Sequence, residues 1–418
     1  MAERTEGAST NRLVSLDAYR GFVMLAMASG GLALQEVAEK RPGQLWLGLL
    51  AIQAEHVVWR GCTFWDLIQP SFLFLVGAAM PFSYAVREAR GEAGRTRIAH
   101  VASRSFLLVA LGVFLSSAWS RQTNFVFTNV LCQIGLGYPF LYALFCCSTR
   151  TRLFALIVIL VGYWGFFAWY PIPSVDYPFH EVGVRGDFEG LRGFLAHWGK
   201  NTNPAAAFDR WLLNVFPRPD SEPFRYNEGG YATLNFIPSI ATMLLGVLAG
   251  DLLRSGRSAV RTLRILIIAG AVGIVVGTML DTTLCPVVKR IWTPSWVLYS
   301  AGWASWMLAV FHALTEVVGW RRWAFPLVVV GANSIAFYVM AQLMKPWTAA
   351  QLKIHLTPLY QVLREWNTRG AIPIPIDGPW LTAPFAGDFG PLHRSVAILL
   401  VFWLIALGMY RRRIFIRL

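Results

Sequence analysis

The chain has 418 residues, of which 56% are hydrophobic and only 14% charged, and it carries 18 tryptophans. A soluble globular protein has about 25% charged residues, so this composition excludes a water-facing surface of that size and fits hydrocarbon as the solvent. The formal net charge of +14 lies in short clusters between apolar runs and not on one face, which is a membrane topology signal and argues against nucleic acid as a partner.

In chain order, residues 1–12 are polar and lack the apolar core of a signal peptide, so a disordered tail is expected there. Apolar runs able to span about 20 residues follow at 15–35, 64–86, 101–119, 127–147 and 152–170. After a long gap come 234–254, 262–280, 294–318, 324–343 and 394–411. Each can cross a core of about 30 Å as a helix that satisfies its own backbone hydrogen bonds. The expected fold is therefore all-α: one polytopic membrane bundle of about ten transmembrane helices over 1–418, without a separate soluble domain. No internal repeat is convincing, which weakens a transporter built from inverted repeats.

Arginines set the orientation. Arg87, Arg90, Arg95, Arg97 and Arg104 lie between the second and third spans, Arg150 and Arg152 between the fourth and fifth, and Arg254, Arg257, Arg261 and Arg264 between the sixth and seventh. Arg321, Arg322 and the tail Arg411, Arg412, Arg413 and Arg417 fall on the same side. Positive charge is retained in the cytoplasm, so both termini are expected inside a multi-pass protein of the cytoplasmic (inner) membrane, with membrane lipid as its surroundings. Segments 36–63, 171–233 and 343–393 then face outward. Their Trp and Tyr content argues against disorder and suits either function or interfacial anchoring.

Among the cysteines, Cys132, Cys146 and Cys147 lie in apolar runs as small hydrophobes. Cys62 and Cys285 lie near helix ends on the same expected face, where a disulfide is possible. No Cys/His spacing resembles a metal site.

Polar residues in or beside spans are expensive, so each is a candidate. Asp17 and Arg20 share a face of the first span, as an interfacial ion pair or a contact to a phosphorylated ligand. His56 stands just before the second span and Asp66 within it. An imidazole, with its ordinary pKa of about 6.5, suits proton transfer from an amine or hydroxyl nucleophile or transient acyl carriage; the bland alternative is a structural histidine. His312 and Glu316 stand one turn apart and can pair. Asn235, Lys289, Arg290, Trp292, Asn333, Ser334 and Tyr338 border spans, and each by itself reads as packing or anchoring as readily as chemistry.

Several of these residues fall in a pattern. Arg12-Leu13-Val14-Ser15-Leu16-Asp17-Ala18-Tyr19-Arg20-Gly21 is followed by His56, Trp59 and Asp66-Leu67-Ile68-Gln69-Pro70-Ser71-Phe72. Further on come Pro286-Val287-Val288-Lys289-Arg290-Ile291-Trp292-Thr293-Pro294-Ser295-Trp296-Val297, then Gly331-Ala332-Asn333-Ser334-Ile335 and Tyr410-Arg411-Arg412-Arg413-Ile414-Phe415. In this collinear set, over nearly the whole chain, the sequence resembles the heparan-α-glucosaminide N-acetyltransferase family of transmembrane acyltransferases. The resemblance implies acetyl transfer from acetyl-CoA to an amine across the membrane, with His56 as catalytic residue, Asp66 as its following aspartate and Asn333 in the ninth-span motif. The chain departs from the family pattern at Ser29-Gly30-Gly31, Asn227-Glu228-Gly229-Gly230 and Ala341-Gln342, which bears on the acceptor more than on the acyl chemistry.

The expected function is thus an acetyl-CoA-dependent N- or O-acyltransferase acting on an extracytoplasmic glycan or amino sugar such as a glucosamine. His56 serves as base or acyl carrier and Asp66 as its partner. Asn333, Ser334, Lys289, Trp292 and Asn235 hold the thioester donor, and no metal takes part. A homodimer is compatible with the sequence. The rival expectations are a membrane transporter or flippase, and a catalytically silent member that only binds CoA.

Overall fold

Hydrocarbon offers no partner for a backbone N–H or C=O, so each apolar run closes its bonds within a helix. The computed structural model describes residues 13–174, 176–186, 190–219, 222–368 and 384–416, and no β-strand occurs among them. The expected tail at 1–12 and part of the third expected outward segment, 369–383, lie outside the described residues.

The helices are α1 (Val14–Ser29), α2 (Leu34–Lys40), α3 (Leu45–Gln53), α4 (Ile68–Ala89), α5 (Gly94–Ser117), α6 (Val130–Phe145) and α7 (Thr149–Ala168). They continue with α8 (Pro204–Leu212), α9 (Phe236–Arg254), α10 (Ala259–Thr283), α11 (Pro294–His312), α12 (Phe325–Gly331), α13 (Ser334–Thr368) and α14 (Gly390–Arg411). The protein is a polytopic helical membrane protein: 8 helical stretches among the described residues are long and apolar enough to cross a membrane. A ninth arises if α12 and α13, bent by 68°, count as one span. The remaining apolar run forms α6, which has 16 residues. Helix α13 runs on to Thr368, so the stretch after 343 that reads as loop is helical as far as that residue, with Pro346 and Pro358 inside it.

The residues cluster into two compact units, Met1–Tyr19 with Gln69–Val328 and Arg20–Ile68 with Val329–Leu418. In the first, small residues let helix backbones touch. A Cβ on Gly246 of α9 would lie 2.0 Å from the Phe74 carbonyl oxygen of α4, and one on Gly77 of α4 would lie 1.8 Å from the Met243 carbonyl oxygen. On α10, Gly270, Gly273 and Gly277 form a stripe against α11, where Gly302 answers them. Lipid supplies no hydrophobic drive between helices, so such close approach and interhelical hydrogen bonds carry the association. Buried Gln133 on α6 supplies the bonds: its Oε1 accepts from Gln69 Nε2 at 3.0 Å and from Ser239 Oγ at 3.4 Å, tying α4, α6 and α9 together.

Side-chain caps start the helices that follow loops. Asn129 accepts from Cys132 N, Ser148 from Thr151 N, Asn203 from Ala206 N and Thr293 from Trp296 N. The described residues of the long segment 171–233 belong to the first unit. Trp198 is fully buried and stacks on Phe167 of α7 at 6.3 Å.

In the second unit, α14 packs against α13, α2 and the turn Gly30–Ala33. That turn ends α1 with four successive left-handed residues: Gly30, Gly31, Leu32 and Ala33 have φ of 58°, 67°, 56° and 55°. Two of them lack the glycine that makes this region cheap. The turn is held by Arg394 on Glu36 at 3.2 Å, Arg41 on Asp388 at 2.9 Å, and Ala54, whose carbonyl oxygen would meet a Gly31 Cβ at 2.9 Å.

Gly246→Val should drive a side chain into the α4 backbone and lower Tm by more than about 10 °C or abolish a monodisperse peak in detergent. Gly162→Ala in α7, where a Cβ meets nothing within 4 Å, should leave Tm unchanged or slightly raised. Equal melting of the two variants would contradict the backbone contact.

Candidate active site

In the second unit the polar centre is built by the chain turning into α4. Thr63 and Asp66 have the Thr-x-x-acid spacing of a capping box. Asp66 N donates to the Thr63 carbonyl at 3.2 Å, and Thr63 N donates back to Asp66 Oδ2 at 3.2 Å. Thr63 Oγ1 donates to the same Oδ2 at 3.0 Å and also meets the Glu55 carbonyl oxygen. Val57 N donates to Oδ2 at 3.2 Å, and Gln53 Oε1 receives Phe64 N at 2.9 Å. The loop 54–64 is thus wound around one carboxylate.

His56 completes this arrangement. Its Nδ1 lies 2.7 Å from Asp66 Oδ1. The Asp66 side chain is 1% exposed and that of His56 36%. A carboxylate acceptor fixes the tautomer with the proton on Nδ1 and the lone pair on Nε2. Sequence separation alone did not guarantee this meeting. Trp65 lies beside the imidazole, with ring centroids 6.5 Å apart.

Asn333 and Ser334 belong to the same unit but to its other end. Asn333 Nδ2 donates to the Ile414 carbonyl at 3.0 Å and its Oδ1 receives Ile416 N at 2.9 Å, so the amide clasps the chain after α14. Arg394, near the start of α14, is the residue that pairs with Glu36, and from there to the end of the helix is about 25 Å at 1.5 Å per residue. One cation that sequence reading left unassigned reaches the turn that ends α1. Lys345 of α13 points its Nζ at the Ser29 carbonyl, 3.4 Å away, on the turn that Ala54 abuts.

In the first unit, Asn235, Lys289 and Trp292 come together. Asn235 Nδ2 donates to the Arg290 carbonyl at 2.8 Å, and Trp292, at φ 49°, donates from Nε1 to Thr242 Oγ1 at 3.1 Å. Lys289 is buried in the same turn. Arg290 reaches the Gly229 carbonyl at 2.6 Å and stacks over Tyr231. Neither Cys62 nor Cys285 forms a disulfide, and burial pushes the Cys285 thiol up to about 11, where it is unreactive. Among the described residues, no group of three or more His, Cys, Asp or Glu side chains could hold a metal ion.

The order of these features can be set beside known proteins. The human heparan-α-glucosaminide N-acetyltransferase is 26% identical over 392 residues, covering 82% of this chain and 54% of its own length. The mouse protein of the same name is 24% identical over 398 residues, covering 84% of this chain and 56% of its own. No protein-family model matches the chain. Over most of its length the chain is similar to these two acetyltransferases. It spans about half the length of the curated relatives it matches.

One pair suggested by the sequence does not form. His312 and Glu316 do not bond each other: His312 Nε2 is taken by the Ala259 carbonyl at 3.1 Å, and Glu316 by Arg321, which folds back from beyond a π-helical turn at Ala313–Val317. A second residue escaped sequence reading because nothing around it repeats. Asp209 of α8 is 2% exposed, and its oxygens receive Thr233 N at 2.9 and 3.3 Å, which moors the long segment to the start of α9.

Burial pushes the Asp209 carboxyl up to about 6, against an ordinary value of 3.8, while the Thr233 bonds pull it down. The folded protein then holds a proton that the unfolded chain has released between these values, so stability falls as pH rises from about 4 to about 6 and is level above. Asp209→Asn should remove that slope from a plot of Tm against pH in detergent. Parallel profiles for variant and wild type would exclude Asp209 as its source.

Proposed function

We propose that this chain is a membrane acyltransferase that moves an acetyl group from acetyl-CoA to an amine or hydroxyl of an extracytoplasmic glycan or amino sugar, with His56 as general base. The observation that carries the reading is the buried Asp66 carboxylate 2.7 Å from Nδ1 of a part-exposed histidine, in a chain similar to two acetyltransferases. The names of the human and mouse relatives support an acetyl donor and a glucosamine-type acceptor. The inner membrane and the outward position of His56 follow from the arginine distribution.

In the proposed reaction His56 Nε2 takes the proton of the attacking nitrogen or oxygen as it bonds to the thioester carbonyl carbon. The carbon–sulfur bond breaks, and the imidazolium returns the proton to the departing thiolate of CoA. Asp66 keeps the proton on Nδ1 and stabilises the imidazolium while it lasts, as an acid partner does in other base-assisted acyl transfers. Holding the donor is assigned to Lys289, Trp292 and Asn235, a compact group in the first unit. Asn333 and Ser334 stand in a motif the family resemblance singles out, but the Asn333 amide is already engaged by the chain after α14.

The detergent-purified protein should release CoA thiol from acetyl-CoA only when an amino sugar or glycan acceptor is present. His56→Ala should lower kcat about 1000-fold and leave acetyl-CoA binding nearly unchanged. Asp66→Asn should lower it by a comparable factor, by favouring the wrong tautomer. A covalent acyl-His56 trapped without acceptor would replace direct attack by a two-step relay. A transporter would share the broken helices at Gly30–Ala33 and between α12 and α13; uptake of a sugar by proteoliposomes without any thioester, and no CoA binding, would put it in place of the enzyme.

A further inference from the structure

The first unit holds an unneutralised cationic centre that the proposed chemistry does not use. Arg97 and Arg104 stand two turns apart on one face of α5. Arg104 lies over the Tyr138 ring at 4.4 Å and donates from its Nη1 to the Tyr138 hydroxyl at 3.1 Å. The Tyr138 and Tyr84 hydroxyls are 3.4 Å apart. Arg97 acts electrostatically on Tyr142, whose ring is 5.0 Å from that of Tyr84. Arg87 of α4 closes the group. It reaches His100 Nε2 at 2.8 Å and Glu92 at 2.9 Å, and His100 lies within electrostatic reach of Arg104 as well.

Of these three guanidinium groups, only that of Arg87 has an ion-paired carboxylate, Glu92, among the described residues. Like charges gathered at a membrane helix repel, and protein usually relieves this by pairing each cation with a carboxylate. Here it does not. The Nε atoms of both Arg97 and Arg104 are buried and have no hydrogen-bond acceptor. An arginine that merely anchors a helix at the headgroup level keeps its guanidinium in water, whereas Arg104 turns its guanidinium onto Tyr138 and both arginines bury their Nε. Unmet donors and uncompensated positive charge are relieved together by an oxyanion that accepts several bonds at once, and phosphate matches the arginine fork in charge and geometry. The ring wall of Tyr84, Tyr142 and Phe145, with Phe145 5.3 Å from Tyr84, suits a phosphate attached to an apolar or aromatic body.

We propose that Arg87, Arg97 and Arg104, with Tyr138, form a binding site for a phosphate-bearing ligand: either the phosphates of the nucleotide end of CoA or the headgroup of an anionic phospholipid. The site is read from charge and hydrogen bonding alone and does not depend on acyl transfer.

The test uses the full chain in neutral detergent and in nanodiscs, with Arg104→Gln and Arg97→Gln beside wild type. Calorimetry would measure binding of CoA, dephospho-CoA and pantetheine. Native mass spectrometry would count lipids retained from phosphatidylglycerol or phosphatidylcholine nanodiscs. CoA binding at least tenfold weaker in the variants, with pantetheine binding unchanged, supports the site and names the nucleotide as ligand. Loss of retained phosphatidylglycerol with phosphatidylcholine unaffected supports it and names the lipid headgroup. Equal binding of both probes by wild type and variants, or binding of neither by wild type, overturns it. Should Arg104→Gln fail to fold, Arg97→Gln decides by the same readings. Neither measurement requires turnover, so a protein that proves unable to move acyl groups still answers.

Discussion

The best-ordered polar groups in this molecule answer to one constraint: a group that leaves water costs free energy unless it finds a partner inside the protein. The backbone meets it by helix formation, which is why each apolar run became helical. Side chains meet it less uniformly. Gln133 is satisfied by joining three helices, Asn333 by clasping the segment after α14, and Asp209 by receiving the start of α9. Asp66 is the fullest case, since its carboxylate gathers backbone and hydroxyl donors from the loop around it and still faces His56. Buried polar networks that are fully satisfied rigidify what surrounds them, so these residues define the loops as much as the helices do.

Glycine does for the helices what these carboxylates and amides do for the loops. Where α4 crosses α9 and α10 runs along α11, the contacts are backbone against backbone, and a methyl group would overlap a carbonyl oxygen at Gly77 and Gly246. Packing this close is the main attraction between helices in lipid. It also leaves many large side chains, such as Phe106, Phe154 and Ile268, turned outward, as suits surfaces that lipid covers.

How much of this could be read from the sequence differs by kind of feature. Hydropathy measures the length and apolarity of a run, and the helices fall where the runs do. It is blind to a bend, so neither the 68° break between α12 and α13 nor the continuation of α13 to Thr368 was visible. The left-handed turn at Gly30–Ala33 was half visible: two glycines hint at it, but Leu32 and Ala33 adopt positive φ without any residue preference to announce it. At the site, His56 and Asp66 were legible as residue types beside a span, and their meeting was not. The signal that would have joined them was the Thr63-x-x-Asp66 spacing, which predicts a helix start with the acid turned back onto the loop. Asp209 and Lys345 had no such signal, because each is defined by what reaches it from distant sequence.

The turn at Thr63–Asp66 explains how the proposed base and a helix start can share one residue without conflict. A base works best when its tautomer and ring plane are set before the substrate arrives, since reorganisation during the reaction raises the barrier. A carboxylate held by His56 alone could swing with it. Asp66 cannot, because Thr63 and Val57 hold its second oxygen while the first faces Nδ1. The bonds that begin α4 are therefore the bonds that orient the imidazole. A change in how the chain enters that helix, even one that leaves His56 and Asp66 in place, would reach the chemistry through the second oxygen of Asp66.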